Sequence, residues 1–109
     1  MVIHKYLRRH FIENSLALAN IQGKVLEIGS GQKWRYIKGS ITLNRDKSAQ
    51  SDIIVDAESL PFTEEEFKTI LCLEALEHTA YPQKMINEIY LVFKKGGKVI
   101  LTVPFSKST

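Results

Sequence analysis

Residues 25–31 read Val25-Leu26-Glu27-Ile28-Gly29-Ser30-Gly31, an apolar run that contains a carboxylate and leads into two glycines one residue apart. The apolar run predicts a buried β-strand, and the glycines predict a tight turn where the strand ends. A strand, a glycine turn and a helix in this order suit a nucleotide-like ligand, because glycine lets a ligand approach the backbone closely and a carboxylate can hold hydroxyls or an amine. Short glycine motifs also recur by chance, so the interpretation depends on the rest of the chain.

The composition is that of one ordinary globular domain. The chain has 109 residues, a hydrophobic share of 44% and a charged share of 25%, which is enough for a real core. The formal net charge is a mild +3, and no basic stripe interleaves with aromatic residues, so the sequence predicts no nucleic-acid partner. No run approaches the roughly 18 apolar residues of a membrane span. With a single cysteine, Cys72, no internal disulfide can form, and we expect a cytoplasmic protein without a membrane partner.

Two segments carry a helical pattern. Residues 3–19 have an amphipathic stripe, which predicts an N-terminal helix within residues 1–22. Pro82 suits the first turn of a second helix, whose apolar stripe continues to a stop at Gly96 and Gly97. Thr63, followed by three glutamates, predicts a short capped helical turn between these two helices.

Five segments carry a strand pattern and alternate with the helical ones: Lys24–Ile28, Ile41–Asn44, Asp52–Asp56, Thr69–Leu73 and Lys98–Val103. This alternation predicts an α/β domain with a doubly wound, mainly parallel sheet and helices on both faces. Ligands of such sheets bind beyond the carboxyl ends of the strands, where the strand order reverses. The glycine turn, Asn44, Asp56 and residues 73–78 all lie at those predicted ends, so four polar features converge on one crevice.

Four blocks of sequence, in this order and spacing, resemble the class I S-adenosylmethionine-dependent methyltransferases of Rossmann-like fold, most closely their type 11 branch. The blocks are Val25–Gln32, Asp56–Phe62, Leu71–His78 and Glu88–Phe105. The resemblance implies a five-stranded sheet of order 3-2-1-4-5 within a cofactor-binding core at 24–105. It also implies S-adenosylmethionine as the cofactor and a small-molecule methyl acceptor.

The family pattern assigns roles to particular residues. Glu27 would help to hold the amino group of the cofactor's methionine moiety, and Gly29 and Gly31 would let the backbone pass beneath the methionine and ribose. Asp56 would accept from the adenine amine, while the Ala57 amide donates to the ring. The further cofactor-lining positions are Leu60, Cys72 and Leu73. Two alternatives stay open: Glu27 could cap the amides of the following turn, and Asp56 could cap its own loop.

Two positions depart from the family pattern. Lys33 replaces the usual third glycine, and it either pairs with the methionyl carboxylate or points to solvent. Asn44 stands where the family carries an acid that accepts from both ribose hydroxyls. An asparagine has one acceptor oxygen beside a donor amide, so we expect a weaker hold on the ribose. Asp46 is the alternative for this role.

His78 is the candidate catalytic residue. Methyl transfer from a sulfonium is an in-line displacement that depends mainly on the positioning of the two reactants. A general base is needed only if the acceptor still carries its proton when the methyl group is transferred. In the family pattern this histidine faces the acceptor, where a catalytic role and a loop-ordering role are both open. Cys72 is not expected to be a nucleophile, because it sits inside an apolar run. No set of Cys and His residues has metal-ligand spacing.

The family's full domain has seven strands, and this chain ends just after the predicted fifth. We therefore expect a single truncated domain over 1–109 that lacks the last two strands. Lys98–Val103 would then be an exposed edge that invites a homodimer or a completing second chain. The leading hypothesis is a methyltransferase domain, and the alternative is a non-catalytic binding module or remnant. A nicotinamide dehydrogenase is disfavoured, because Trp34 stands where its fingerprint needs glycine.

Overall fold

The computed structural model describes residues 2–4, 21–29, 37–47, 51–73 and 75–102. Its six strands are β1 (Val2–His4), β2 (Val25–Ile28), β3 (Ile41–Asn44), β4 (Ile53–Ile54), β5 (Phe67–Leu73) and β6 (Phe93–Thr102). A short 3₁₀ helix covers Leu76–His78, and an α-helix, α1, covers Pro82–Val92. None of the helices in these described ranges is long and apolar enough to cross a membrane.

The strands form one sheet of order β1-β6-β5-β2-β3-β4, in which every neighbouring pair is parallel. Strands β2 to β6 reproduce the predicted order 3-2-1-4-5, so the predicted fold class is confirmed. The order reverses between β2 and β5, which places the expected ligand crevice at the carboxyl ends of those two strands.

Strand β1 was not predicted, and it corrects two expectations. It pairs with β6 in the register Val2↔Ile100 to His4↔Thr102, so residues 3 and 4 are strand rather than helix. The outer edge of the fifth predicted strand is therefore not exposed at Ile100–Thr102. The physical reason is that an open edge presents unpaired N–H and C=O groups, which an extended segment of the same chain satisfies. The rest of the predicted N-terminal helix, residues 5–20, lies outside the described residues.

The boundary between α1 and β6 also differs from the prediction. The helix ends at Val92, and the backbone is already extended at Phe93 (φ −85°, ψ 127°), which pairs with Phe67 of β5. The expected stop at Gly96 and Gly97 is wrong, because both glycines lie within β6. A Cβ at Gly97 would stand 2.1 Å from the carbonyl oxygen of Lys68, so this glycine serves close strand packing rather than a helix end.

Two further elements are shorter than predicted. The third predicted strand contracts to Ile53–Ile54, because Asp52 is engaged with β3 through its side chain and its amide. The Thr42 amide donates to Asp52 Oδ2 at 3.0 Å, and the Asp52 amide donates to Thr42 Oγ1 at 2.9 Å. The turn at Thr63 forms without a helix, and the Thr63 amide and hydroxyl both donate to Glu66 Oε1 at 2.9 and 3.0 Å.

The core is built on both faces of the sheet. All four residues of β2 are buried, as expected for a strand between two parallel neighbours. On one face, α1 buries Met85, Ile89 and Val92 against a cluster that includes Leu26, Ile70 and Phe67. On the other face, alternate residues of β5 and β6 form a smaller cluster of Leu71, Leu73 and Ile100, against which Ile37 packs. The two faces anchor β2 and β5 and so fix the positions of the loops at their carboxyl ends.

Candidate functional site

A cavity of about 540 Å³ opens at the carboxyl ends of β2, β3 and β5. It lies at the reversal of strand order, where ligands of open α/β sheets bind. Its walls combine apolar and polar side chains from five separate segments. The lining residues are Ile28, Gly29, Leu43, Asn44, Arg45, Asp46, Asp56, Ala57, Leu73, Ala75, Glu77, His78, Thr79 and Met85.

Gly29 forms part of this cavity, and any other residue at this position would be strained. Its φ is +77°, a conformation that costs other residues roughly 1–2 kcal/mol. A Cβ there would stand 2.7 Å from the carbonyl oxygen of Leu73. The Gly29 amide donates to the Leu43 carbonyl at 2.9 Å, so the turn joins the ends of three strands. The other two positions predicted for this turn, Gly31 and Lys33, lie outside the described residues.

Glu27 is fully buried and is not among the cavity-lining residues. Its Oε2 accepts from the Ile37 amide at 2.9 Å and from the Ser40 hydroxyl at 2.6 Å. These contacts correspond to the capping alternative, in which the carboxylate orders the segment that follows the glycine turn. Its predicted role toward the methionine amino group stays a prediction.

The last residue of β3, Asn44, and the two residues after it, Arg45 and Asp46, line the cavity. Asn44 Oδ1 accepts from the Asp46 amide at 3.1 Å, so its single acceptor oxygen already serves the turn. Its amide group remains a donor, while the adjacent Asp46 supplies a carboxylate to the same cavity. The Arg45 guanidinium donates to the main-chain carbonyl of His78.

Asp56 and Ala57 line the cavity as predicted. Asp56 Oδ1 accepts from the Glu58 amide at 3.0 Å, and its carbonyl accepts from the Ser59 amide at 3.1 Å. The carboxylate therefore caps its own loop with one oxygen, and the described residues give its second oxygen, Oδ2, no hydrogen bond. The two roles considered for Asp56 are compatible, because each needs only one oxygen.

Two residues predicted to line the cofactor, Leu60 and Cys72, are not among the cavity-lining residues, and their contact with the cofactor stays a prediction. Leu60 is buried in the core, and its amide donates to Glu88 Oε1 of α1 at 2.8 Å. Cys72 is fully buried within β5. Burial raises the pKa of Cys72 to about 12, and the nearby Glu77 carboxylate acts in the same direction. A thiol with so high a pKa is no nucleophile, which agrees with the expectation from its apolar surroundings. Leu73, its neighbour, does line the cavity.

His78 lies at the end of the 3₁₀ helix, and it lines the cavity with an exposed side chain. Its amide donates to the Ala75 carbonyl at 3.1 Å. The next residue, Thr79, donates its hydroxyl to the Glu58 carboxylate and accepts from the Tyr81 amide at 3.1 Å. The contributions of Arg45, Glu58 and Thr79 were not predicted. Across the described part of the chain, no group of three His, Cys, Asp or Glu side chains could hold a metal ion.

Comparisons with known proteins agree on one family. A family described as a methyltransferase domain matches residues 35–101, which is more than half of the chain. The uncharacterized protein MJ1123 of Methanocaldococcus jannaschii is 35% identical over 92 residues, covering 75% of this chain and 45% of that protein. This chain thus spans about half the length of the curated relatives that it matches.

Solved structures show the same fold. The YcgJ protein of Bacillus subtilis aligns with a TM-score of 0.70 and 23% identity, covering 85% of this chain and 50% of that protein. TM1293 of Thermotoga maritima, described as a SAM-dependent methyltransferase and possible histamine N-methyltransferase, aligns with a TM-score of 0.68 and 24% identity. The alignment covers 82% of this chain and 48% of that protein. The alternative of a non-catalytic remnant is not favoured by these findings.

The four sequence blocks, the strand order and the family match all indicate the same family. S-adenosylmethionine is the cofactor of the family they indicate. This chain belongs to the type 11 branch of the S-adenosylmethionine-dependent methyltransferases, a family of Rossmann-like fold.

Proposed function

We propose that this domain binds S-adenosylmethionine in the cavity between Gly29 and Asp56 and transfers its methyl group to a small-molecule acceptor. One observation carries the proposal: the cavity lies at the strand-order reversal of a methyltransferase-family sheet, and its lining includes the glycine turn and the Asp56-Ala57 pair. Its volume of about 540 Å³ is within the range of about 300–1,000 Å³ typical of small-molecule sites.

The residues present fit the cofactor's chemistry. The Asp56 Oδ2 atom can accept from the adenine amine while Oδ1 keeps its bond to Glu58, and the Ala57 amide can donate to the ring. Leu43 and Met85 supply apolar surface on the same cavity. The missing Cβ of Gly29 leaves space beside the Leu73 carbonyl that any other residue would fill.

The ribose end of the site is unusual for the family. Asn44 already uses its acceptor oxygen within the turn, so it offers a ribose hydroxyl a donor. We assign the donor part of ribose binding to Asn44 and the acceptor part to Asp46, because the Asp46 carboxylate lines the same cavity. The cytoplasmic location and the small-molecule nature of the acceptor belong to the proposal as well.

When bound, S-adenosylmethionine supplies a methyl group on a positively charged sulfonium. The chain's own task is then to orient the acceptor and to exclude water from the reacting atoms. His78 has an exposed side chain on the cavity, so its imidazole can accept a proton from an acceptor that is still protonated. Leu73 and Ile28 provide an apolar wall beneath this position.

Calorimetric titration with S-adenosylmethionine and its demethylated product tests the binding site. The informative variant is Asp56→Asn, because it keeps an oxygen for the Glu58 amide but turns a donor group toward the adenine amine. We expect roughly ten- to hundredfold weaker binding, since hydrogen bonds to a charged group contribute roughly 1.5–3 kcal/mol. Glu64→Gln makes the same change of charge at an exposed residue outside the cavity and should bind as the wild type does. Absence of heat with either ligand at millimolar concentration would overturn the proposal.

Methyl transfer is tested separately by mass spectrometry with a panel of small amines, phenols and carboxylic acids as acceptors. We expect His78→Asn to lower the transfer rate while the dissociation constant of the cofactor stays unchanged. If the variant loses cofactor affinity and methyl transfer in parallel, then His78 orders the loop and does not accept the proton of the methyl acceptor. Transfer to RNA or protein alone, with none to small molecules, would contradict the acceptor class.

A further inference from the structure

The segment Ala75–Tyr81, here called the wall segment, crosses one side of the cavity and is fastened to the loop after β3. The Arg45 guanidinium donates to the main-chain carbonyl of His78. The two residues are 33 positions apart in the sequence, and both line the cavity. This hydrogen bond therefore joins opposite sides of the cavity mouth.

A second fastening comes from the loop after β4. The Thr79 hydroxyl donates to the Glu58 carboxylate, and it accepts from the Tyr81 amide at 3.1 Å. Glu58 is itself held in place, because its amide donates to Asp56 Oδ1 at 3.0 Å. The wall segment is thus connected to the same loop that carries the proposed adenine-binding residue.

The described contacts hold the two ends of the wall segment more firmly than its middle. Ala75 and Leu76 pack against the core with partly buried side chains, and the Tyr81 carbonyl accepts from the Lys84 and Met85 amides of α1 at 3.0 and 3.3 Å. The segment's single turn of 3₁₀ helix, Leu76–His78, contains no fully buried residue. The backbone bonds within it are local, from the His78 amide to the Ala75 carbonyl at 3.1 Å and from the Thr79 amide to the Leu76 carbonyl at 3.4 Å. Isolated 3₁₀ turns are weak, and segments with few buried contacts open with low free energy. The two side-chain fastenings therefore contribute much of the order of His78 and Thr79, which lie between these anchored ends.

We propose that Arg45 and Thr79 are positioning residues that hold the wall segment closed over the cavity, so that bound cofactor leaves when these two hydrogen bonds open. Arg45 acts on the His78 carbonyl, and Thr79 acts on Glu58. The inference rests on the proposed function, because it takes S-adenosylmethionine as the occupant of the cavity.

Two measurements on Arg45→Ala test the first fastening. Amide hydrogen exchange, followed by NMR in the protein without ligand, should be about five- to tenfold faster at His78 and Thr79 than in the wild type. Stopped-flow dissociation of the demethylated cofactor should accelerate by a similar factor, with a smaller change in the association rate. Arg45→Lys should restore part of both effects, because an ammonium can donate one hydrogen bond to the carbonyl but lacks the rigid guanidinium fork.

Thr79→Val tests the second fastening without changing side-chain shape. It removes the hydroxyl and should accelerate exchange and dissociation as Arg45→Ala does. Lys47→Ala is the matched control, because it removes a positive charge from the same exposed loop at a residue that does not line the cavity. Equal effects of Arg45→Ala and Lys47→Ala, or unchanged exchange at His78 and Thr79, would overturn the inference. If the wild type binds no cofactor, the proposed function fails, whereas the exchange data still decide whether the fastenings exist.

Discussion

Gly29 is the residue at which two separate constraints coincide. It has a φ of +77°, and a Cβ would stand 2.7 Å from the Leu73 carbonyl oxygen. We expect Gly29→Ala to lower the free energy of unfolding by about 3 kcal/mol, as the sum of a left-handed backbone and an overpacked contact. Gly39→Ala is the control, since Gly39 has a φ of +82° but no atom within 4 Å of a Cβ; there we expect about 1 kcal/mol. Urea unfolding measures both, and equal losses would show that the contact with Leu73 is unimportant.

Glu66 gives stability a dependence on pH. The hydrogen bond from the Lys24 ammonium, followed by the Thr63 amide, holds the pKa of Glu66 below its ordinary value of 4.5. A lowered folded-state pKa means that the stabilisation is present above that ordinary value and is lost as the pH falls through the lowered one. Because the pair is partly exposed, we expect Glu66→Gln to cost at most about 1 kcal/mol at pH 7.

Thermal unfolding at two pH values tests this expectation. The difference in Tm between Glu66→Gln and the wild type should shrink steadily below pH 4.5, and added salt should reduce it at pH 7. Glu64→Gln changes the charge of an exposed neighbour in the same turn and should leave Tm nearly unchanged. A Tm difference that is constant from pH 7 to acidic pH would contradict the ionic origin.

Local side-chain contacts could be predicted from the sequence, and distant ones could not. Thr63 and Glu66 are three residues apart, so their contact follows from the spacing of a capped turn. Leu60 and Glu88 are 28 residues apart, and no spacing rule relates them. The position of Asp56 after a strand could be predicted from the local pattern, and the residue lines the cavity. The contact that holds the Leu60 amide to Glu88 could not be predicted in this way.

Strand β6 owes its close pairing with β5 to Gly97. A Cβ at this position would stand 2.1 Å from the carbonyl oxygen of Lys68, although the φ of Gly97 lies outside the left-handed region. We expect Gly97→Ala to push the two strands apart and to lower the free energy of unfolding by about 3 kcal/mol. Gly96→Ala provides the comparison, because Gly96 has a φ of +81° and open space around a Cβ. A smaller loss for Gly97→Ala than for Gly96→Ala in urea unfolding would refute the packing argument.

The elements that could be predicted are those with a strong local signal. Strands β2 and β5 are near-continuous apolar runs, and such runs mark strands buried on both faces. The end of α1 was misplaced because paired glycines commonly stop helices, while here they permit close strand contact. Strand β1 gave no signal of its own, because its partner β6 lies at the opposite end of the chain.

At the scale of the whole molecule, β1 completes the sheet at its β6 edge. It pairs with Ile100–Thr102 through three residues, and its removal would leave those backbone groups unpaired beside the core. β1 is itself the edge strand, but it has only three residues, and its removal would make the ten-residue β6 the edge. We therefore expect a variant that lacks residues 1–4 to self-associate at micromolar concentration, because long exposed strand edges pair with other chains. Sedimentation velocity of the shortened and full-length chains tests this, and a shortened chain that stays as monomeric as the full-length one would contradict it.

The strand order of the whole sheet followed from the sequence because the order and spacing of four blocks identify a family. The occupant of the β6 edge did not follow, because the resemblance covers residues 24–105 and says nothing of the N-terminus. Global topology was thus predicted by analogy, and the edge of the sheet is decided by backbone pairing alone. A predicted homodimer through that edge stays a prediction, although the edge itself is partly occupied by β1.

The burial of Cys72 gives the protein a built-in probe of its own unfolding. It is the only cysteine in the sequence, lies at 0% exposure in the central strand β5, and has a pKa raised to about 12. The thiolate is the form that attacks a disulfide reagent, so at neutral pH such reagents can modify only molecules in which β5 has separated from its neighbours. The labelling rate in native buffer should therefore report the free energy of opening the sheet. The labelling rate of Cys72 could therefore rank the Gly29, Glu66 and Gly97 variants by the free energy of opening the sheet, without denaturant.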